Sequence, residues 1–227
     1  MPSLRIGGFT PFTTTDYPGL LAAVVFCQGC PWRCTYCHNP HLLPVEGPES
    51  HVWPDLLRFL ESRRGLLDAV VFSGGEPTLQ GALADAMRAV KALGFRIGLH
   101  SAGMYPDRLA RVLPLVDWIG LDIKAPRAAY PRITGVPAAG AAVFDSLRLI
   151  LGAGVDYELR CTWHPDLLSA ADLASLGDEL QALGADRLVL QECRPTGRAS
   201  AIPPGWHDDD GVTKLAGRFR HFTLRPG

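Results

Sequence analysis

The chain has 227 residues, of which 47% are hydrophobic and 20% are charged, and its formal net charge is −1. This apolar content is enough for a sizeable core and excludes a disordered or fibrous protein, and the length suits one domain. The near-neutral charge does not favour a general nucleic-acid binder, so no nucleic-acid partner is expected. Four of the six cysteines lie between Cys27 and Cys37, which favours a metal or redox site over a disulfide framework.

The N-terminus lacks a basic stretch followed by an apolar one, so no secretory signal is expected. The longest apolar run is far too short to span a bilayer, so we expect no membrane partner. A cytoplasmic location follows as the expectation, and thiols would stay reduced there and able to bind metal.

Six short runs along the chain have the composition of strands. Residues 20–27 are continuously apolar and rich in β-branched side chains, as in a strand buried on both faces. Three similar runs follow, at residues 69–72, 116–121 and 187–191. Residues 95–100 and 155–160 alternate more between apolar and polar side chains but fall at the same spacing.

Helical patterns lie between these runs. They cover residues 54–64, 79–93, 144–151 and 169–183. Gly152 is expected to end the third helix, and Ser169 with Asp172 has the form of a capping box at the start of the fourth. About six βα units in alternation predict an α/β fold with a parallel sheet, and periodicity alone leaves a doubly wound sheet and a partial TIM-like barrel both open.

Polar or unusual residues follow each predicted strand. The clustered cysteines come after the first strand, and a Ser-Gly-Gly-Glu-Pro sequence follows the second. The later strands end at His100 and Ser101, at Asp122 and Lys124, at Arg160, and at Gln191 and Glu192. Because the carboxyl ends of parallel strands meet at one face, we expect a ligand site there.

The cysteine spacing differs from common metal motifs. Structural zinc sites usually use two ligand pairs across a longer loop, and two-cluster ferredoxins use a different run. From Cys30 the spacing is C-x3-C-x2-C, through Cys34 to Cys37. Three thiolates on a short loop can bind three irons of a cubic cluster and leave the fourth open, as a catalytic site requires. The other three cysteines are expected to be structural: Cys27, Cys161 and Cys193.

This run, with Tyr36 just before the last thiol, resembles the signature of the radical S-adenosylmethionine enzymes. The Gly74-Gly-Glu76 sequence, placed after the second strand, is similar to a second motif of that family. The resemblance implies one 4Fe-4S cluster held by Cys30, Cys34 and Cys37. It also implies S-adenosylmethionine, whose amine and carboxylate chelate the open iron.

A wider set of motifs is similar to the activating enzymes of glycyl-radical enzymes. In chain order these are Asp16–Gly19, Phe26–Asn39, Gly74–Gln80, Leu121–Lys124 and Ile133–Gly135. Within that class, residues 7–19 and 26–39 look most like the activating protein of anaerobic ribonucleoside-triphosphate reductase, in its longer variant. The implied fold is the radical S-adenosylmethionine fold, a partial (βα)6 TIM-like barrel. The implied single domain, 1–227, has a segment 1–19 ahead of a core 20–193 and a tail 194–227.

The resemblance also implies roles for residues near the cysteines and the glycine motif. Tyr36 and His38 would line the adenine side of the cofactor. Gly74 and Gly75 would let the backbone approach its methionine end. Glu76 would accept a hydrogen bond from the ammonium group.

Other roles fall at the later strand ends. Asp122 and Lys124 have the same parity and face one side, where they would be catalytic residues beside the cofactor and the target glycine, or an ion pair at the barrel mouth. Arg160 would pair with the methionine carboxylate, or be a surface arginine. Ser101 would contact the cofactor. His100 would donate a hydrogen bond to the cofactor, or be structural. The formate-lyase activase has an aspartate at this position that helps to hold a monovalent cation. A histidine cannot supply that carboxylate, so the cation site is not carried over to this chain.

The implied activity is that of an oxidoreductase that cleaves S-adenosylmethionine reductively. The resulting 5′-deoxyadenosyl radical would abstract a glycine Cα hydrogen from a partner, anaerobic ribonucleoside-triphosphate reductase. A flavodoxin- or ferredoxin-type protein would supply the electron. The alternatives are an activase of another glycyl-radical enzyme of the pyruvate formate-lyase type, a radical S-adenosylmethionine enzyme acting on a small molecule, and a non-catalytic zinc or electron-transfer protein.

Overall fold

The computed structural model describes residues 3–47, 51–194, 202 and 205–226. Its strands form one sheet of eight, paired in chain order. They are β1 Ile6–Thr13, β2 Ala22–Cys27, β3 Ala69–Gly74, β4 Arg96–Ser101, β5 Trp118–Asp122, β6 Asp156–Trp163, β7 Arg187–Glu192 and β8 His221–Arg225. The α-helices are α1 Trp53–Glu61, α2 Leu83–Ala92, α3 Pro106–Val112, α4 Tyr130–Thr134, α5 Ala139–Ala153, α6 Ala170–Ala182 and α7 Asp210–Ala216.

Strands β2 to β7 are the six predicted strands, and all of them run parallel. Five of them, β2 to β5 and β7, are buried along their central residues, which explains their apolar runs, whereas β6 alternates between buried and partly exposed residues. Connections through helices join successive neighbours, as expected of a partial barrel. The predicted α/β barrel class is therefore confirmed.

Two strands were not predicted, and both are at the edges of the sheet. Strand β1 lies in the segment ahead of the core and pairs antiparallel with β2. Strand β8 lies in the predicted tail, follows α7, and pairs parallel with β7. Among the described strands β1 and β8 do not pair with each other, so the barrel is open along one side.

The predicted helix limits hold in part. The capping box at the start of α6 is present, since Ser169 Oγ accepts from the Asp172 amide and the Asp172 carboxylate accepts from the Ser169 amide. The prediction that Gly152 ends its helix is wrong. Gly152 lies inside α5, and Gly154 ends it in the left-handed conformation at φ 67°. Only glycine adopts that conformation without strain, so Gly154 is the better stop.

The interior of the barrel is filled by side chains at the N-terminal halves of the strands. Tyr17, from the β1–β2 loop, is buried there against Trp118, with ring centres 5.2 Å apart. Gly98 makes room for it, because a Cβ atom at that position would lie 3.0 Å from the Tyr17 ring. With this end of the barrel occupied, open space remains at the carboxyl ends of the strands.

In the described part of the chain, no single helix is both long and apolar enough to cross a membrane. The segments 127–134 and 139–153 satisfy those requirements only as a pair, and they are bent by 119°.

Candidate active site

A cleft opens at the carboxyl ends of the parallel strands, where the sequence placed the ligand site. Twelve of the residues singled out from the sequence line it: Cys30, Cys34, Tyr36, Cys37, His38, Gly74, Gly75, His100, Ser101, Asp122, Lys124 and Gln191. The sequence analysis assigned no role to several further lining residues: Trp32, Asn39, Ser73, Met104 and Thr162. The lining residues come from five different strand ends and the cysteine loop, which explains why they lack a common sequence signal.

The six cysteines divide into two sets by burial. Cys30, Cys34 and Cys37 are free thiols, partly exposed on the cleft wall. The other three are free and fully buried: Cys27, Cys161 and Cys193. Burial raises the pKa of Cys30 to about 11, and it raises the pKa of Cys34 against the opposing charge of Lys124. Ionising these buried thiols costs free energy. A positively charged group that binds both thiolates offsets this cost, as an iron cluster does when it takes thiolate ligands.

The start of the cysteine loop is held by the segment that follows it. The amides of Gly29 and Cys30 donate to the carbonyls of Leu42 and Leu43 at 2.8 and 3.1 Å. Gln28 is buried, and its side-chain amide donates to the Pro44 carbonyl at 2.7 Å. These bonds place the first thiol of the loop before any ligand binds.

The middle of the loop rests on the C-terminal end of α4. The Arg33 and Thr35 amides donate to the carbonyls of Thr134 and Ile133 at 3.4 and 3.2 Å. The last carbonyls of a helix lack partners within the helix and are free to accept such bonds. This contact gives a structural reason for the Ile133-Thr-Gly135 motif, in which Gly135 ends α4 at φ 76°.

The two motif glycines face protein backbone as well as the cleft. A Cβ atom on Gly74 would lie 2.5 Å from the Cys27 nitrogen, and one on Gly75 would lie 2.3 Å from the Gly29 oxygen. The sequence reading attributed both glycines to close approach by a cofactor. In the structure they already accommodate the chain that leads into the cysteine loop, which fixes β3 beside that loop.

Glu76 is fully buried and lies behind the cleft wall. One of its oxygens accepts from the Thr78 amide, the Thr78 hydroxyl and the Ser101 hydroxyl, and the other accepts from the Ala102 amide at 2.9 Å. Burial raises the pKa of Glu76, while these donors act in the opposite direction. The carboxylate therefore joins the end of β3 to the end of β4.

Asp122 and Lys124 lie together on the cleft wall. Lys124 Nζ is 3.2 Å from Asp122 Oδ2 and 5.5 Å from the centre of the Tyr36 ring. The Lys124 side chain is 12% exposed and that of Asp122 is 41% exposed. Burial opposes the charge on Lys124, but Tyr36 and Asp122 raise its pKa well above the usual value. Burial likewise opposes the charge on Asp122, and Lys124 with Arg160 lowers its pKa. The pair is thus a fixed cation and anion facing the cysteine loop.

Arg160 does not line the cleft. Its Nε lies 2.7 Å from Glu158 Oε1, and its guanidinium lies 5.1 Å from the centre of the Trp118 ring. Glu158 also binds Arg225 of β8, at 3.0 Å. The alternative prediction, that Arg160 is a surface arginine, is wrong, because its side chain is only 10% exposed. Arg160 is instead paired with Glu158 of its own strand, and that carboxylate also binds β8.

His100 makes two hydrogen bonds inside the protein. Its Nε2 lies 2.9 Å from the Asp16 carbonyl oxygen, and its Nδ1 lies 3.2 Å from Ser73 Oγ. Burial, followed by the charge of Arg160, lowers the pKa of His100 to about 4. The structural reading of this histidine is therefore the better supported one.

The residues present fit a cluster with an open iron and an amino-acid-like cofactor. Three free thiols occupy one wall, and a fixed ammonium and carboxylate occupy the other. The Tyr36 hydroxyl is buried with no hydrogen-bond partner, so the cleft has a polar atom to offer a ligand. In the described residues, no three His, Cys, Asp or Glu side chains converge to hold a single metal ion.

Comparison with known proteins gives a consistent family. The model of the Radical SAM superfamily matches residues 24–168. A protein of Methanocaldococcus jannaschii, assigned by its name to the glycyl-radical enzyme activating enzymes, is 26% identical over 197 residues, which cover 84% of this chain and 80% of that protein. The pyruvate formate-lyase-activating enzyme of Clostridium pasteurianum is 32% identical over 174 residues, covering 74% of this chain and 72% of that enzyme.

A solved structure shares the fold. Streptococcus suis SuiB bound to S-adenosylmethionine superimposes with a TM-score of 0.68 at 13% identity. The superposition covers 88% of this chain and 48% of the SuiB chain. At this identity the likeness concerns the fold alone.

Proposed function

Since the chain belongs to the radical S-adenosylmethionine superfamily and to its class of glycyl-radical enzyme activating enzymes, we propose that it activates an anaerobic ribonucleoside-triphosphate reductase. Enzymes of this superfamily use a 4Fe-4S cluster and S-adenosylmethionine. The class acts on a glycyl-radical enzyme.

One observation carries the residue assignment. The three partly exposed thiols lie on one wall of the cleft, and the Asp122–Lys124 pair faces the same space from the opposite strand end. Under the proposal Cys30, Cys34 and Cys37 hold the cluster. When bound, the cluster and S-adenosylmethionine together supply the radical that removes a glycine Cα hydrogen.

The chain's own residues bind and orient. Lys124, fixed by Asp122, offers a positive charge to the methionine carboxylate or to a carbonyl of the target loop. Tyr36 and His38 cover the adenine side. Glu76 was predicted to accept from the cofactor ammonium, but its oxygens accept from Thr78, Ser101 and Ala102, so its proposed role is to keep the cleft wall in place. Water is excluded on the inner side because Tyr17 and Trp118 occupy the barrel below the cleft.

The choice of reductase as the partner rests on the resemblance of residues 7–19 and 26–39. Among the described strands β1 and β8 do not pair with each other, and the proposal places the entry of the partner's polypeptide loop between these two sheet edges. A flavodoxin- or ferredoxin-type protein is proposed as the electron donor, and the cytoplasm as the location.

A second candidate partner is pyruvate formate-lyase. The observation in its favour is the similarity to the Clostridium pasteurianum activase over most of both chains. Both candidates need the same cleft, and only the recognition of the partner differs.

The test is anaerobic reconstitution with iron and sulfide, followed by reduction and addition of S-adenosylmethionine. Release of 5′-deoxyadenosine is expected. If none is released, the proposal that this chain is a radical S-adenosylmethionine enzyme is refuted. The loaded protein is then mixed in parallel with the reductase and with pyruvate formate-lyase, and the glycyl-radical EPR doublet is recorded. A doublet only with the lyase would overturn the choice of partner, and cofactor cleavage with neither would indicate a small-molecule substrate.

A further inference from the structure

The hydrogen bonds of His100 determine which way the Ser73 hydroxyl points. The partner of His100 Nε2 is a backbone carbonyl, the oxygen of Asp16 at 2.9 Å. A carbonyl oxygen only accepts, so Nε2 must carry the hydrogen. In a neutral imidazole the other nitrogen, Nδ1, is then an acceptor.

The neutral form is the one the surroundings favour. His100 is held between the edge of the Trp118 ring, at 5.6 Å between ring centres, and the strand ends of β3 and β4. Burial and the charge of Arg160 both lower its pKa, to about 4. Asp16 and Asp122 act in the opposite direction and do not overcome these effects.

Ser73 must therefore donate its hydroxyl hydrogen to His100. The distance from Ser73 Oγ to His100 Nδ1 is 3.2 Å. Ser73 lines the cleft and comes directly before Gly74 of the glycine motif. Within the part of the chain that the structure describes, the Ser73 hydroxyl has no second hydrogen-bond partner, so its lone pairs are left for a group in the cleft.

We propose that Ser73 is a hydrogen-bond acceptor for S-adenosylmethionine and that His100 is the positioning residue that fixes its direction. The ligand chemistry is a hydrogen-bond donor, which in this cofactor is either the methionyl ammonium or a ribose hydroxyl. The inference rests on the proposed use of this cleft for S-adenosylmethionine. It adds a polar contact from Ser73, just ahead of the glycine motif. This contact depends on the Asp16 carbonyl, which lies 84 residues before His100 in sequence.

The hydrogen-bond relay from the Asp16 carbonyl through His100 to the Ser73 hydroxyl also explains the position of the β1–β2 loop. Asp16 is held at the strand ends by His100, and its neighbour Tyr17 reaches into the barrel. A substitution of His100 should therefore affect both the β1–β2 loop and the direction of the Ser73 hydroxyl. Different variants are needed to separate these two effects.

The first experiment measures cofactor affinity by anaerobic calorimetry on the reconstituted protein. Ser73→Ala is expected to weaken S-adenosylmethionine binding about tenfold, the size of one hydrogen bond from a charged or polar donor. Ser62→Ala is the matched control, because Ser62 Oγ donates to the Phe59 carbonyl on α1, outside the cleft, and should leave affinity unchanged. Analogues lacking the ammonium group or one ribose hydroxyl identify the donor, since the Ser73→Ala loss should vanish for one of them.

The second experiment separates the relay from simple packing. His100→Asn retains an acceptor near Nδ1 and is expected to keep most of the affinity, whereas His100→Gln retains the donor near Nε2 and is expected to behave like Ser73→Ala. Histidine 15N NMR of the wild type should show hydrogen on Nε2 alone. The inference is overturned if the wild type and Ser73→Ala bind S-adenosylmethionine equally well. It is also overturned if the NMR spectrum places the hydrogen of His100 on Nδ1. Absence of binding by wild type would count against the proposed function instead.

Discussion

A Cβ atom placed on Gly75 would lie 2.3 Å from the carbonyl oxygen of Gly29, closer than any real Cβ contact. The two chains are also hydrogen bonded, because the Glu76 amide donates to that same oxygen at 2.9 Å. The glycine motif and the cysteine loop therefore form one unit of backbone, and the cleft depends on it.

This contact predicts that Gly75→Ala disrupts the cleft. The obstacle is backbone, which cannot rotate away as a side chain would, so the loop must shift and the free energy of unfolding should fall by about 2 kcal/mol. Iron content after reconstitution should fall as well. Gly81→Ala is the control, because a Cβ there meets nothing within 4 Å. Equal iron loading of both variants would contradict the prediction.

The burial of the cysteines predicts two classes of variant. Alanine at Cys30, Cys34 or Cys37 should abolish the cluster, measured as iron and sulfide content and as visible absorption. Alanine at Cys27 or Cys161 should retain the cluster and cost about 1 kcal/mol of stability from the small cavity. Loss of the cluster in Cys27→Ala would show that the ligand assignment is wrong.

The position of Lys124 predicts a specific defect in cofactor binding. Lys124→Met removes the cation beside Asp122, so the affinity for S-adenosylmethionine should fall by about tenfold or more while the cluster is retained. Lys91→Met is the matched control, because Lys91 pairs with Asp117 at 3.0 Å away from the cleft. The two affinities are compared by calorimetry on the reconstituted proteins, and a similar small effect in both would argue against a role for Lys124.

The bonds of Glu158 predict that it stabilises the edge of the sheet. Its Oε1 accepts from Arg160 of β6 and Arg225 of β8. Glu158→Gln leaves two guanidinium groups without their carboxylate, and the free energy of unfolding should fall by about 2 kcal/mol. Amide hydrogen exchange in β8 should become faster.

A surface ion pair provides the comparison for that prediction. Arg88 and Asp85 on α2 are both 60% exposed, so Arg88→Gln should change stability by less than about 0.5 kcal/mol. Chemical denaturation of both variants tests the difference. If Glu158→Gln were as mild as Arg88→Gln, the buried carboxylate would not hold β8.

The sequence was sufficient for the parallel core. Strands β2 to β5 and β7 are buried along their centres, so their apolar character is local, and β6 is marked instead by alternation at the same spacing; each of the six ends where a polar motif begins. Strand β1 contains two glycines and a proline, and β8 is largely exposed, so neither has a strong strand pattern. Their places depend on pairing with β2 and β7.

For the site, the sequence by itself determined which residue types are present and at which strand ends they lie. The cysteine spacing and the Asp-x-Lys pair are local patterns, and side-chain alternation on one strand is enough to face the pair to one side. The tertiary structure decided what each group touches. The motif glycines meet the backbone of residues 27–29, His100 meets a carbonyl from the β1–β2 loop, and Arg225 of β8 meets the Glu158 carboxylate of β6. These contacts join distant parts of the chain, and they exist only because the curved sheet brings strand ends together that no sequence period connects.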